Sequence, residues 1–155
     1  MRVRTILLIA TVISLFALLT VGAYVTVAGD GDACGSSVPS DYPLCQGHLL
    51  PPPVLGAIAE YSHRLLASLS SLFLFVTVFI FWRAKDSPLA ARQSLYLASL
   101  LIILEVVLGA AVVATTEPPW LVTIHQANAL LVFGLVVAAL ASDRRVVRTV
   151  LSSPN

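Results

Sequence analysis

Residues 54–82 read VLGAIAEYSHRLLASLSSLFLFVTVFIFW, a run far more apolar than a helix on the surface of a soluble domain. Three further apolar stretches accompany it, at 5–27, 94–114 and 121–141. Each supplies the ~20 residues that a helix needs to cross ~30 Å of hydrocarbon. Only 11% of the chain is charged, against roughly 25% in a soluble domain. The sequence therefore predicts an all-α integral membrane protein, a four-transmembrane-helix bundle that forms a single membrane domain over 1–155, with no surface suited to nucleic acid.

The distribution of Lys and Arg predicts the orientation, because cytoplasmic loops are enriched in these residues. Eight of the nine basic residues lie before the first span, between the second and third, or after the fourth, whereas 28–53 and the turn at 117–119 have none. Both termini are therefore expected in the cytoplasm. The first span is longer than the 7–15 residues of a signal-peptide core and is expected to be retained. The eight residues are Arg2, Arg4, Arg83, Lys85, Arg92, Arg144, Arg145 and Arg148.

The outer loop, 28–53, is rich in Gly, Ser and Pro and contains both cysteines of the chain, Cys34 and Cys45. An even pair on the outer side of a membrane favours a disulfide bond. The pair either staples the loop or exchanges electrons with a thiol carrier, and the spacing, which is not CxxC, leaves both open. A structural zinc site is disfavoured, because His48 adds only a third ligand where four are needed.

Ionisable side chains inside the spans are costly and point to function. Glu60, His63 and Arg64 share one face of the second helix because they are three and four residues apart. His125 lies at a comparable depth in the fourth helix, and each histidine follows a proline-rich turn, as in a weak internal repeat. A haem iron between His63 and His125 would use both imidazoles, with Arg64 near a propionate. The alternative is two unrelated interhelical hydrogen bonds beside a Glu60–Arg64 ion pair.

A further acidic residue, Glu105, lies near the middle of the third helix. We expect either a protonated acid hydrogen-bonded to a neighbouring helix, or a possible proton relay or cofactor contact. Gly109 and Ala110 follow it and permit a close helix contact or leave room for a flat macrocycle.

Several of these elements together resemble the haem A synthase family, in its CtaA and COX15-like members. The outer loop has the form Cys…Asp-Tyr-Pro-Leu-Cys-Gln-Gly followed by prolines, and Glu-Tyr-Ser-His-Arg at 60–64 is similar to the family's Glu-x-x-His-Arg element. Leu-Gly-Ala at 108–110 and His-Gln-Ala at 125–127 follow in order. The chain resembles one half of a family member, since members usually have eight helices in two halves with a histidine pair in each. It also departs by having Glu105 where glutamine is expected.

The resemblance implies oxidation of a methyl group of haem O to the formyl group of haem A, through hydroxylated intermediates, in the cell membrane. Glu60 would be the catalytic acid/base, His63 and His125 the axial ligands of haem b, haem O or haem A, and Arg64 a propionate or Glu60 partner. Expected partners are haem O, an electron acceptor, the bilayer, a second copy of the chain, and the haem O synthase or terminal oxidase assembly. The alternatives are a four-helix b-type cytochrome that relays electrons from quinol, and a quinone-linked thiol oxidase.

Overall fold

The computed structural model describes residues 3–37, 41, 44–84 and 86–143. Over these residues it contains four α-helices, each long and apolar enough to cross a membrane, which confirms the predicted all-α, multi-pass membrane fold. The orientation with both termini in the cytoplasm stays a prediction. Five of the eight basic residues on which it rests lie outside the described residues: Arg2, Lys85, Arg144, Arg145 and Arg148. The helices are α1 (Val3–Ala28), α2 (Leu55–Arg83), α3 (Leu89–Ala114) and α4 (Pro119–Ser142).

The helices extend past the apolar runs, most of all at the start of α3. This helix begins at Leu89, five residues before the apolar stretch at 94–114, and Pro88 occupies its N-cap position. Its added turn, Leu-Ala-Ala-Arg-Gln, is made of good helix formers. The fourth helix begins at Pro119, which suits the first helical position because proline has no N–H that would need a partner there.

The bundle consists of two tightly packed hairpins, α1 with α2 and α3 with α4, which contact each other less extensively through α1–α4 and α2–α3. Helices α2 and α4 therefore stand diagonally across the bundle. A continuous apolar core fills the half of the bundle that contains the chain's N-terminal end, and it includes Leu8, Leu74, Leu95 and Val132. The opposite half, beneath the outer loop, is where the hairpins separate around a cavity.

A buried charge network closes the packed end of the bundle. Arg4 of α1 donates to Asp86 Oδ1 at 3.2 Å and to Asp143 Oδ1 at 3.1 Å, and its guanidinium lies 5.0 Å from the centre of the Phe81 ring. Arg4 and Asp143 are both buried. The network ties α1, the α2–α3 turn and the end of α4 together, so Arg4 has a structural role besides its contribution to topology.

Candidate functional site

The outer loop is held by a disulfide bond between Cys34 and Cys45, whose Cα atoms are 4.4 Å apart, and this confirms the predicted pairing. Both cysteines are fully buried against Ala57 at the start of α2. Cys45 also pairs with His48 through backbone hydrogen bonds of 3.0 and 2.9 Å around a two-residue turn with positive φ at both positions. Glycine occurs at the second of these, where a left-handed backbone favours it. His48 itself is exposed and contributes its backbone to this turn.

Two charged residues of α2 attach the loop to the bundle. Glu60 accepts a hydrogen bond from the Cys34 backbone N–H and forms an ion pair with Arg64 one turn further on. Arg64 also donates to the carbonyl oxygens of Asp41, Leu44 and Gly35, at 2.6, 2.8 and 3.3 Å. Its guanidinium therefore holds the loop as well as Glu60, and the predicted contact with a haem propionate stays a prediction.

A cavity of about 340 Å³ lies between the two hairpins, beneath the loop. Its wall is mainly apolar, and all four helices contribute to it. All five ionisable residues that the sequence singled out within the spans line it: Glu60, His63, Arg64, Glu105 and His125. A largely apolar cleft of ~300–1,000 Å³ with a few convergent polar groups is the usual form of a cofactor or small-molecule site.

Each histidine packs against a glycine of its own hairpin. A Cβ atom added at Gly22 of α1 would lie 2.8 Å from His63 Cε1, closer than real Cβ contacts. A Cβ atom added at Gly109 of α3 would lie 3.2 Å from His125 Cε1. The two hairpins thus repeat one arrangement, in which a glycine on the first helix makes room for the imidazole on the second. This glycine–imidazole pairing adds a second likeness between the hairpins to the one in the sequence, where each histidine follows a proline-rich turn.

The two imidazoles differ in their polar neighbours. Glu105 Oε1 lies 2.9 Å from His125 Nδ1, and Asn128 donates to Glu105 Oε2 at 2.6 Å and to the Leu101 carbonyl at 3.0 Å. The Glu105–His125 contact lies off the direction of the ring N–H and is a close polar contact rather than an aligned hydrogen bond. Among the described residues, His63 Nδ1 is buried without an aligned hydrogen bond. Glu105 therefore accepts a hydrogen bond from Asn128 of α4, while its expected protonation and its expected role as a proton relay or cofactor contact stay predictions.

An acidic cluster borders the cavity at its outer end. Glu117, in the turn between α3 and α4, lines the cavity, and within the described part of the chain one of its buried oxygens has no hydrogen-bond partner. Burial raises the pKa of the Glu117 carboxyl, and the nearby carboxylates of Asp32 and Asp30 raise it further. Thr116 and Glu117 both have φ near +60°, which is unusual for residues other than glycine.

Sequence reasoning missed three residues of the site: Gly22, Asn128 and Glu117. Gly22 carried a readable signal, because a glycine inside a helix costs about 1 kcal/mol relative to alanine and usually has a packing reason. Asn128 lies three residues after His125 on the same helix face, a spacing that indicates a shared environment. Glu117 carried no signal, since its position depends on how the loops fold over the cavity.

The chain is similar to known proteins over most of its length. The COX15-CtaA family, described as cytochrome oxidase assembly protein, matches residues 1–137. A heme A synthase of Symbiobacterium thermophilum is 31% identical over 145 residues, which are 92% of this chain and 46% of that protein. A heme A synthase of Alkalihalophilus pseudofirmus is 29% identical over 135 residues, 86% of this chain and 42% of the relative. The chain spans less than half the length of these relatives, and it belongs to the COX15-CtaA family.

Proposed function

We propose that this chain is a haem A synthase, which oxidises the methyl group of haem O to the formyl group of haem A in the cell membrane. The observation that carries the proposal is the meeting of two imidazoles, on diagonal helices, in one apolar cavity that also contains the carboxylate of Glu60. The relatives that match most of this chain are named heme A synthase, which supports the same reaction class.

The residues of the cavity fit a haem. Within the described residues, no group of three or more His, Cys, Asp or Glu is arranged to hold a metal ion. His63 and His125 both line the cavity, and imidazole is a common protein ligand of haem iron. Gly22 and Gly109 leave room for the two rings at the cavity wall, and among the described residues neither His63 Nδ1 nor His125 Nδ1 has an aligned hydrogen-bond partner. His63 and His125 would hold the iron, and the bound haem would supply the redox chemistry.

Glu60 is placed to handle protons in this reaction. Conversion of a methyl group and one water molecule to a formyl group passes electrons to an acceptor and releases protons, so a proton acceptor is needed near the reacting carbon. The Glu60 side chain is buried, lines the cavity, and is held by Arg64 and the Cys34 N–H. A positioned acid or base typically contributes ~10²–10⁴-fold to a rate. Arg64 and the disulfide-bonded loop keep this carboxylate at the cavity wall.

We expect the functional unit to contain more than one copy of the chain. The cavity of the described residues has one histidine pair, His63 and His125, whereas members of the resembled family usually have a histidine pair in each of two halves. Two chains would restore two sites and could divide these roles. Mass measurement in nanodiscs, alongside activity, tests this expectation, and a fully active monomer would remove it.

The decisive experiment is Glu60→Gln, analysed by chromatography of the extracted haems. The amide oxygen of glutamine still accepts the Cys34 N–H, so the loop contact is retained while the acid/base group is lost. We expect bound haem to be retained and conversion of haem O to haem A to fall by ~10²–10⁴-fold. His63→Ala should instead alter haem binding and its absorption spectrum. Normal production of haem A by Glu60→Gln would reduce Glu60 to a structural partner.

The wild-type extract tests the proposal as a whole. Haem O or haem A in the purified protein supports the synthase, whereas haem b alone supports a b-type cytochrome that only relays electrons. Such a cytochrome would need His63 and His125 but would be indifferent to Glu60→Gln. A protein without haem would contradict both functions and leave the cysteine pair as the remaining redox group.

A further inference from the structure

We propose that the two histidines are unequal ligands: Glu105 makes His125 the fixed ligand and leaves His63 as the ligand that exchanges. This inference rests on the proposed haem site and assigns Glu105 a positioning role in it. Its basis is the difference between the neighbours of the two rings. A carboxylate lies 2.9 Å from His125 Nδ1, and Asn128 in turn holds that carboxylate at 2.6 Å.

The contact with Glu105 determines which nitrogen of His125 is available to a metal. A carboxylate at Nδ1 favours the tautomer with its proton there, so Nε2 keeps its lone pair for ligation. Such a partner also fixes the ring orientation and makes the ligating nitrogen more basic. The present contact is off the N–H direction, but the torsion that turns the imidazole is soft, so alignment costs little.

His63 has a weaker set of neighbours. Among the described residues its Nδ1, like that of His125, has no aligned hydrogen bond, but no carboxylate lies within ion-pair distance of it, as Glu105 does of His125 Nδ1. Hydrogen bonds to charged groups are roughly twice as strong as those between neutral groups. His63 is therefore the ring whose bond to iron is less supported by the protein.

The difference between the two histidines determines on which side of the cavity a further ligand would bind. Glu60 lies three residues before His63 on the same helix and lines the same cavity. If His63 released a bound haem, the freed position would lie on the α1–α2 hairpin, which also carries Glu60. A small ligand that entered there would meet the Glu60 carboxylate, which the Cys34 N–H holds. Glu105 would hold His125 as the remaining ligand.

A double-variant experiment tests the assignment with haemin as the probe. His63→Gly leaves only His125 as a protein ligand, and His125→Gly leaves only His63. Glu105→Leu is introduced into each background of the full chain, and haemin is titrated into the detergent-solubilised proteins. We expect Glu105→Leu to weaken haemin binding about tenfold in the His63→Gly background. It should leave binding unchanged in the His125→Gly background.

Two spectroscopic readouts separate positioning from a general loss of structure. The iron–histidine stretching frequency of the reduced protein should fall with Glu105→Leu only where His125 is the remaining ligand. Carbon monoxide added to the reduced wild-type protein should give the spectrum of the His63→Gly adduct rather than that of His125→Gly. If Glu105→Leu does not fold, Glu105→Gln keeps an acceptor without the charge and should shift the same frequency in the same direction.

Equal effects of Glu105→Leu in both backgrounds would overturn the assignment, as would an adduct in which carbon monoxide replaces His125. In these cases a wild-type protein with two histidine ligands would still support the haem site. A wild-type protein that binds haemin without histidine ligation would overturn the proposed site and this inference together.

Discussion

The glycines behind the two imidazoles allow a graded test of the haem site. A Cβ atom at Gly22 would lie 2.8 Å from His63 Cε1, whereas ordinary contacts begin at 3.4 Å, so the ring must move by about 0.6 Å. At Gly109 the distance is 3.2 Å, and His125 must move by about 0.2 Å. A functional constellation tolerates displacements of about 0.5 Å. Gly22→Ala therefore exceeds this tolerance and Gly109→Ala does not.

The space around each glycine determines whether the alanine substitution weakens haem binding or destabilises the fold. The atom that Gly22→Ala would meet belongs to a side chain at the cavity wall, so the imidazole can shift into the cavity while the helices stay in place. We expect the haem affinity to fall about tenfold with little loss of thermal stability. Gly134→Ala is the matched control, because a Cβ atom there has none of the described residues' atoms within 4 Å. Its only expected effect is the gain in helix propensity, up to about 1 kcal/mol.

Titration with haemin, followed by absorption, and thermal unfolding, followed by circular dichroism, measure the two effects separately. We expect Gly134→Ala to bind haem with the affinity of the wild type. Gly109→Ala should bind with nearly the same affinity, and Gly22→Ala with a clearly lower one. The proposed role of the two glycines is wrong if Gly22→Ala binds haemin as tightly as the wild type does, or if Gly109→Ala lowers the haemin affinity more than Gly22→Ala.

Three further predictions concern the outer face and the topology. Non-reducing peptide mapping should recover Cys34 linked to Cys45, and two free thiols in freshly prepared protein would count against the pairing. An impermeant reagent applied to intact cells should label Ser36→Cys and not Ser152→Cys; labelling at 152 alone would reverse the orientation. Because the pKa of the Glu117 carboxyl is raised above its ordinary value of 4.5, the folded protein binds this proton more tightly than the unfolded chain. Stability should therefore decline as the pH rises from about 4.5 through the raised pKa, and Glu117→Gln should remove this part of the slope.

Much of the fold and part of the site follow from local sequence rules. Four apolar runs of about 20 residues predict four spans because the bilayer thickness imposes that length. The spacing of Glu60 and Arg64 predicts their contact because residues four apart are neighbours on a helix. The prediction that His63 and His125 reach similar depths follows from their positions after the outer turns, and the structure has both at one cavity.

The contacts between distant segments could not be predicted in the same way. Arg4 reaches Asp86 and Asp143 only because three chain segments meet at the packed end of the bundle. The partners of Arg64 in the loop are backbone carbonyls, which every residue possesses, so no residue type indicates them. Such contacts depend on how helices and loops are positioned against one another, and the apolar pattern of each helix leaves that relation undetermined.

The division of the bundle into hairpins explains how it can combine a rigid end with a site for a flat ligand. Each imidazole is seated against a glycine of its own hairpin, so the placement of His63 depends on Gly22 and that of His125 on Gly109. The separation between the two rings depends instead on the contacts between hairpins, which are less extensive than those within them. These hairpins are joined by the apolar core and the Arg4 network at one end and separate around the cavity at the other. In the proposed haem site, a planar group between the rings would therefore act on the contacts between hairpins rather than on the packing that positions either ring.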